Sequence, residues 1–149
     1  MTVPNLSQDD SQCVGYQHPD GRWTGDKWHT SWIYTTTQIV IALHHTPAAH
    51  RGIKALLRAQ TPDGGWGTRQ QATAGETGYA VLALAAHTGP RPRQNLTTAL
   101  RRAADWLTNW QQSDPRCDCH LWTGKELYCP TRVDRVVAHA GLLAATRPT

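Results

Sequence analysis

Phenylalanine is absent from the 149 residues, methionine occurs once and lysine three times. No stretch approaches the roughly 18 consecutive apolar residues of a membrane-spanning helix. The opening MTVPNLSQDD has neither the basic region nor the apolar core of a secretory signal. These absences lead us to expect a soluble, cytoplasmic protein with no transmembrane segment. A concentrated positive field is missing as well. The formal net charge is +4, but the twelve Arg are scattered from Arg22 to Arg147, and only Arg91, Arg93, Arg101 and Arg102 group together. A nucleic-acid footprint needs a tighter basic surface, so nucleic acid is not an expected partner. With 39% hydrophobic and 17% charged residues, disorder is also excluded. The length suits a single domain.

Against the missing Phe stand seven Trp and four Tyr, and some of them recur in a pattern. Gln17-His18-Pro19-Asp20-Gly21-Arg22-Trp23 returns 43 residues later as Gln60-Thr61-Pro62-Asp63-Gly64-Gly65-Trp66. A degenerate third copy begins at Gln111, and its upstream flank also repeats: RGIKALLRAQ before Thr61 corresponds to RAADWLTNWQ before Gln112. Repeats of this length, each unable to bury its own apolar face, imply stacked helical hairpins.

Hydrophobic periodicity predicts five helices, over Ser31–His45, Pro47–Ala59, Gly75–His87, Asn95–Gln111 and Pro130–Ala145, with almost no strand signal. The fold class is therefore all-α. Between helices, Pro-Asp-Gly combines a preset φ, an Asx side chain and a residue tolerant of positive φ. The Gln before each turn can bond backbone groups left open at a helix end. Gln17, Trp23, Gln60, Asp63, Trp66 and Gln111 are accordingly predicted to brace structure.

The Q-x-P-D-G-x-W pattern resembles the QW repeat of class II terpene cyclases, the group of squalene–hopene cyclase and copalyl diphosphate synthases. Asp26-Lys27-Trp28-His29-Thr30-Ser31 with Tyr34-Thr35-Thr36 resembles the DKWH-x-S…Y-x-T stretch of the bacterial diterpene cyclases. Trp122-Thr123-Gly124-Lys125-Glu126-Leu127-Tyr128-Cys129-Pro130, leading into Arg132-Val133, resembles their W-x-x-K-x-L-Y-x-P segment. Gln60–Gly67 and Glu76-Thr77-Gly78-Tyr79-Ala80 fall between them in matching order. The resemblance implies an α/α-barrel built from helical hairpins. It also implies protonation of a terminal alkene or epoxide by the middle Asp of a D-x-D-D motif, followed by cationic ring closure.

No D-x-D-D exists in this sequence. In the family pattern the acid precedes the DKWH-like segment, and only 25 residues precede Asp26 here. The chain thus resembles the C-terminal half of one barrel, one partial α/α-barrel domain over residues 1–149 with a flexible arm expected at 1–13. Half a barrel leaves apolar faces open to water, and such faces generally mark interfaces. The implied partner is a protein subunit carrying the D-x-D-D half. The implied substrate is a prenyl diphosphate such as geranylgeranyl or farnesyl diphosphate.

Candidate site residues follow from that chemistry. A carbocation must be held without being trapped, which suits the π faces of Trp28, Trp32, Tyr34 and Tyr79; each could equally be core packing. Tyr128 lies in the second family-like segment. His29 is the candidate for a terminal base or a partner of a catalytic carboxyl. Lys27, Lys125 and Arg132 are candidate diphosphate anchors. Mg2+ accompanying the diphosphate is a further expectation, with no metal bound by this chain itself. Glu76 reads as a helix N-terminal charge rather than a cavity acid. The one-residue spacing of Cys117 and Cys119, with His120 and Cys129, is awkward for tetrahedral zinc, so free thiols are expected. Two other readings stay open: a non-catalytic α/α-repeat protein that binds a prenyl chain or a protein partner, and a decayed cyclase remnant.

Overall fold

The computed structural model describes residues 16–24, 30–69, 71–89, 93–112 and 131–146. These residues form five α-helices and no strand: α1 (Trp32–Ala42), α2 (Pro47–Arg58), α3 (Ala74–Ala86), α4 (Gln94–Gln112) and α5 (Thr131–Thr146). None is long and apolar enough to cross a membrane.

Local chemistry sets the boundaries. Ser31, Thr46 and Thr73 cap α1, α2 and α3, each accepting from a backbone N–H three residues on, which satisfies one of the open donors of the first turn. Pro47 opens α2, where its missing N–H costs nothing. Helix α1 stops at Ala42, three residues short of the predicted His45. Leu43 leaves the helical region there, and His45 turns left-handed at φ 67°.

The helices lie in two rows. Helices α1, α3 and α5 are consecutive neighbours, with α2 and α4 packed behind them against α1, α3 and α5. Helices α1 and α3 bury residues on several sides, as Ile33, Thr36, Thr37 and Val40 do in α1. Helix α2 buries a single face, through Ala48, Ala49, Gly52, Ala55 and Leu56. The core between the rows contains Trp23, Trp66, Ile33, Leu56, Val81, Leu84, Leu100 and Leu107.

Helix α5 corrects one expectation. Of the apolar positions that define its period (Val133, Val136, Val137, Ala140 and Leu143), Val133, Val136 and Leu143 are exposed and Val137 and Ala140 half-buried, whereas Asp134, Ala138 and Gly141 are buried. Small residues decide this. A Cβ on Gly141 would stand 2.8 Å from the Gly78 Cα, and one on Gly78 would stand 2.5 Å from the Val137 carbonyl oxygen. Helices α3 and α5 therefore meet backbone to backbone, and the bulkier aliphatic residues face outward.

The two complete Gln–Trp turns make equivalent contacts. The Gln17 amide donates to the carbonyls of Gly21 and Ala48 at 2.8 and 3.0 Å, and the Gln60 amide donates to those of Gly64 and Ala99, both at 2.9 Å. Each turn is thereby tied to the start of the following outer helix. Gly21 and Gly64 have φ of 93° and 105°, and a Cβ on either would collide with the Arg51 or Arg102 carbonyl. Gln111 of the degenerate copy is exposed at the end of α4, and the turn that would follow it lies outside the described residues. So do the N-terminal arm and the Cys117, Cys119, His120 and Cys129 cluster.

Candidate functional site

The site is built where the N-termini of α1 and α3 lie side by side. Glu76, in the first turn of α3, is 2% exposed. Its Oε1 accepts from the Ser31 hydroxyl at 2.6 Å, the Thr68 hydroxyl at 2.5 Å and the Thr68 amide at 3.1 Å. Its Oε2 accepts from the Thr73 hydroxyl at 3.0 Å. A buried carboxylate is costly unless such donors surround it, and two helix N-termini add favourable partial charge. The sequence reading of Glu76 as an N-terminal charge agrees with this placement. Its crosslink to Ser31, 45 residues away, is new.

One helical turn beyond that clamp, the same two helices present Tyr34 and Tyr79. Ser31 and Tyr34 are three residues apart, as are Glu76 and Tyr79, so each pair shares a helix face. The tyrosine rings meet edge to face, with centroids 5.0 Å apart and planes at 83°. Burial, then Tyr34 and then Asp134, raises the Tyr79 pKa above the usual phenol value. Tyr79 therefore stays a neutral phenol across physiological pH. Asp134, buried on α5, was missed in the sequence because a lone acid inside a helical pattern carries no motif.

The other candidates are distributed differently. Trp32 is two residues from Tyr34, which places it about 200° around the helix. It packs against the core with the Arg22 guanidinium 5.7 Å from its ring centroid, and does not join the tyrosine pair. Arg132 is exposed in the first turn of α5. Lys27, Trp28, His29, Lys125 and Tyr128 lie outside the described residues. A recess of about 270 Å³ between α4 and α5 is lined by Trp110, Gln111, Arg135 and His139.

Two rows of packed helices, α1, α3 and α5 in one and α2 and α4 in the other, are the layout of part of an α/α-barrel, as in terpenoid cyclases. The chain belongs to the squalene-hopene cyclase C-terminal domain family, whose family model matches residues 11–128. It is 40% identical to the (+)-kolavenyl diphosphate synthase of Herpetosiphon aurantiacus, over 89% of this chain and 26% of that protein. It is 37% identical to an ent-copalyl diphosphate synthase of a Streptomyces species, over 90% of this chain and 26% of the relative. Among solved structures, ent-copalyl diphosphate synthase from Streptomyces platensis superposes with a TM-score of 0.77 at 33% identity, covering 91% of this chain and 27% of the other. The chain thus spans about a quarter of the length of the relatives it matches.

Proposed function

We propose that this chain supplies one wall of a class II terpene cyclase cavity and works with a partner subunit that carries the D-x-D-D acid. The observation that supports this reading is the family match: about nine-tenths of the chain matches diterpene diphosphate synthases, and none of these residues forms a D-x-D-D motif. The substrate is a prenyl diphosphate, geranylgeranyl or farnesyl, and the compartment is the cytoplasm.

In this reading the partner's Asp protonates the terminal alkene, and the π bonds of the prenyl chain close rings onto the cation. Tyr34 and Tyr79 hold that charge against their ring faces, each contact being worth on the order of 1–2 kcal/mol once desolvated. A neutral Tyr79 hydroxyl is a poor nucleophile, so the cation is held without being captured. Asp134 adds negative potential behind the pair. The Ser31–Glu76 clamp keeps the two rings in register, which makes Glu76 a positioning residue. Trp28 is assigned the same cation-holding role, and His29 that of taking the final proton or bonding a catalytic carboxyl. Lys27, Lys125 and Arg132 anchor the diphosphate. Mg2+ demands a set of oxygen ligands. Asp134 beside the tyrosine pair does not make such a set, and no three acidic, His or Cys side chains among the described residues converge on one ion position.

Co-expression with a D-x-D-D-bearing chain, sought first in the neighbouring reading frame, followed by incubation with geranylgeranyl and farnesyl diphosphates, tests the proposal. Cyclic diphosphate product is expected only when both chains are present, and replacing the partner's central Asp by Asn should abolish it. Product from the partner alone at an equal rate would contradict the reading.

A further inference from the structure

Helix α5 stands at the end of the row formed by α1, α3 and α5, and its two long faces are unequal. The face toward α3 carries Asp134, Ala138 and Gly141, all buried. About 150° round the axis, Val133, Val136, Ala140 and Leu143 fall within an arc of about 80°. Their spacing of three, four and three residues is that of helices packed lengthwise through a heptad seam. Val133, Val136 and Leu143 are 48%, 67% and 66% exposed, and Ala140 is half-buried. Five large hydrophobic residues are exposed among the described residues, and three of them lie on this stripe. It is therefore a concentrated patch and not scattered background.

The row indicates what fits there. Helix α3 has α1 on one side and α5 on the other, and its residues Ala74–Gly78 are all buried. Five consecutive buried residues exceed one helical turn, so α3 is covered on every side. Helix α5 packs on α3 and α4, and its stripe faces away from α3. At the other end of the row, α1 exposes a single large aliphatic residue, Ile41. The α1–α3–α5 packing thus continues most readily beside the stripe of α5. One flank of that stripe is basic. Arg135 and His139 are exposed there and line the recess against Trp110 and Gln111 of α4. The one acid of α5, Asp134, is buried on the opposite side, so a second copy of this face would bring no acid to that flank.

We propose that Val133, Val136, Ala140 and Leu143 are the docking seam for an amphipathic helix of the D-x-D-D-bearing partner. That helix carries apolar residues at heptad spacing and acidic residues on the flank that meets Arg135 and His139. It takes the next place in the row beside α5 and buries the stripe. The charged flank sets its register and speeds the encounter. This inference rests on the split-cyclase reading above and adds to it the surface by which the two chains join.

Val136→Arg and Leu143→Arg in the full chain test the seam. Alone, each variant should melt within about 2 °C of the wild type, because both positions face solvent. Titrated calorimetrically into a D-x-D-D-bearing chain, each should bind at least about tenfold more weakly than the wild type. Arg135→Glu should weaken binding by a smaller factor and reduce its salt dependence. Lys54→Glu, at an exposed position on α2, should leave the affinity unchanged. Wild-type affinity in both stripe variants, with product still formed, would overturn the seam and leave the cyclase reading standing. A melting temperature lowered by more than about 5 °C in Val136→Arg alone would overturn it by placing other residues of this chain on the stripe. A dimer of the isolated chain in sedimentation that Val136→Arg dissociates would overturn it by placing a second copy there. A wild-type pair that neither binds nor forms product would overturn both readings.

Discussion

The two Gln–Trp turns begin from nearly the same seven residues and end in the same backbone contacts, yet they cover themselves differently. In the first, Arg22 pairs with Asp20 at 2.9 Å and reaches over the Trp32 ring. In the second, Gly65 stands where Arg22 does, and Trp106 stands where the preceding hairpin has Ala55. A Cβ on Gly65 would come within 2.9 Å of the Trp106 indole. That indole instead lies over the bare backbone and donates to Asp63 at 3.0 Å. One turn is closed from solvent by its own side chain, the other by a side chain from the next helix. The lesson is that the repeat conserves main-chain chemistry, while the lid is chosen pairwise: a large residue on the turn with a small one on the helix, or the reverse.

The largest expected effect removes what the copies share. Trp66 is fully buried and donates to the Leu56 carbonyl at 2.8 Å. Trp66→Ala should therefore cost about 3–5 kcal/mol of folding stability in chemical denaturation. Trp23→Ala, at 2% exposure, should fall in the same range. A cost below about 1 kcal/mol for either would show that the two turns are not both part of the core.

Next comes the lid swap. Gly65→Arg should overpack the second turn by about 1–3 kcal/mol, and adding Trp106→Ala should recover part of that loss. Simple additivity of the two changes in a double-mutant cycle would break the pairwise account.

Smaller effects separate the two aspartates. Asp63 accepts from the Thr61 hydroxyl and the Trp106 indole, so Asp63→Asn should cost about 1 kcal/mol. Asp20 pairs with Arg22 at half-exposed positions, where Asp20→Asn should stay within about 0.5 kcal/mol. The Thr61 hydroxyl foremost, with help from Trp106 and the Asp63 and Gly65 amides, holds the Asp63 pKa below the usual carboxylate value in spite of burial. Because the folded-state pKa is the lower one, the stabilisation is complete at neutral pH. It is lost as pH falls through the carboxylate range. Thermal unfolding of wild type and Asp63→Asn should accordingly converge under acid conditions, and a constant gap down to the lowest pH would contradict this.

Much of the helical framework was legible in the sequence, because caps and stops such as Ser31, Pro47 and Thr73 act over a few residues. The site was legible in part. Tyr34 and Tyr79 stand together, but Trp32 faces elsewhere, since two residues along a helix reverse direction. The Ser31–Glu76 bond and the burial of Asp134 depend on contacts between helices distant in the chain, and no local period encodes them. The outward turn of Val133 and Val136 has the same origin: Gly78 and Gly141 allow a backbone approach that composition alone does not reveal.

The most direct test of the proposed role is a titration of this chain into a fixed amount of a D-x-D-D-bearing chain, the partner proposed above, with the initial rate of prenyl diphosphate cyclisation as the readout. The rate should rise from background and saturate at one chain per partner, and Tyr79→Leu should saturate at the same ratio with altered product proportions. A rate that does not depend on added chain would contradict the account.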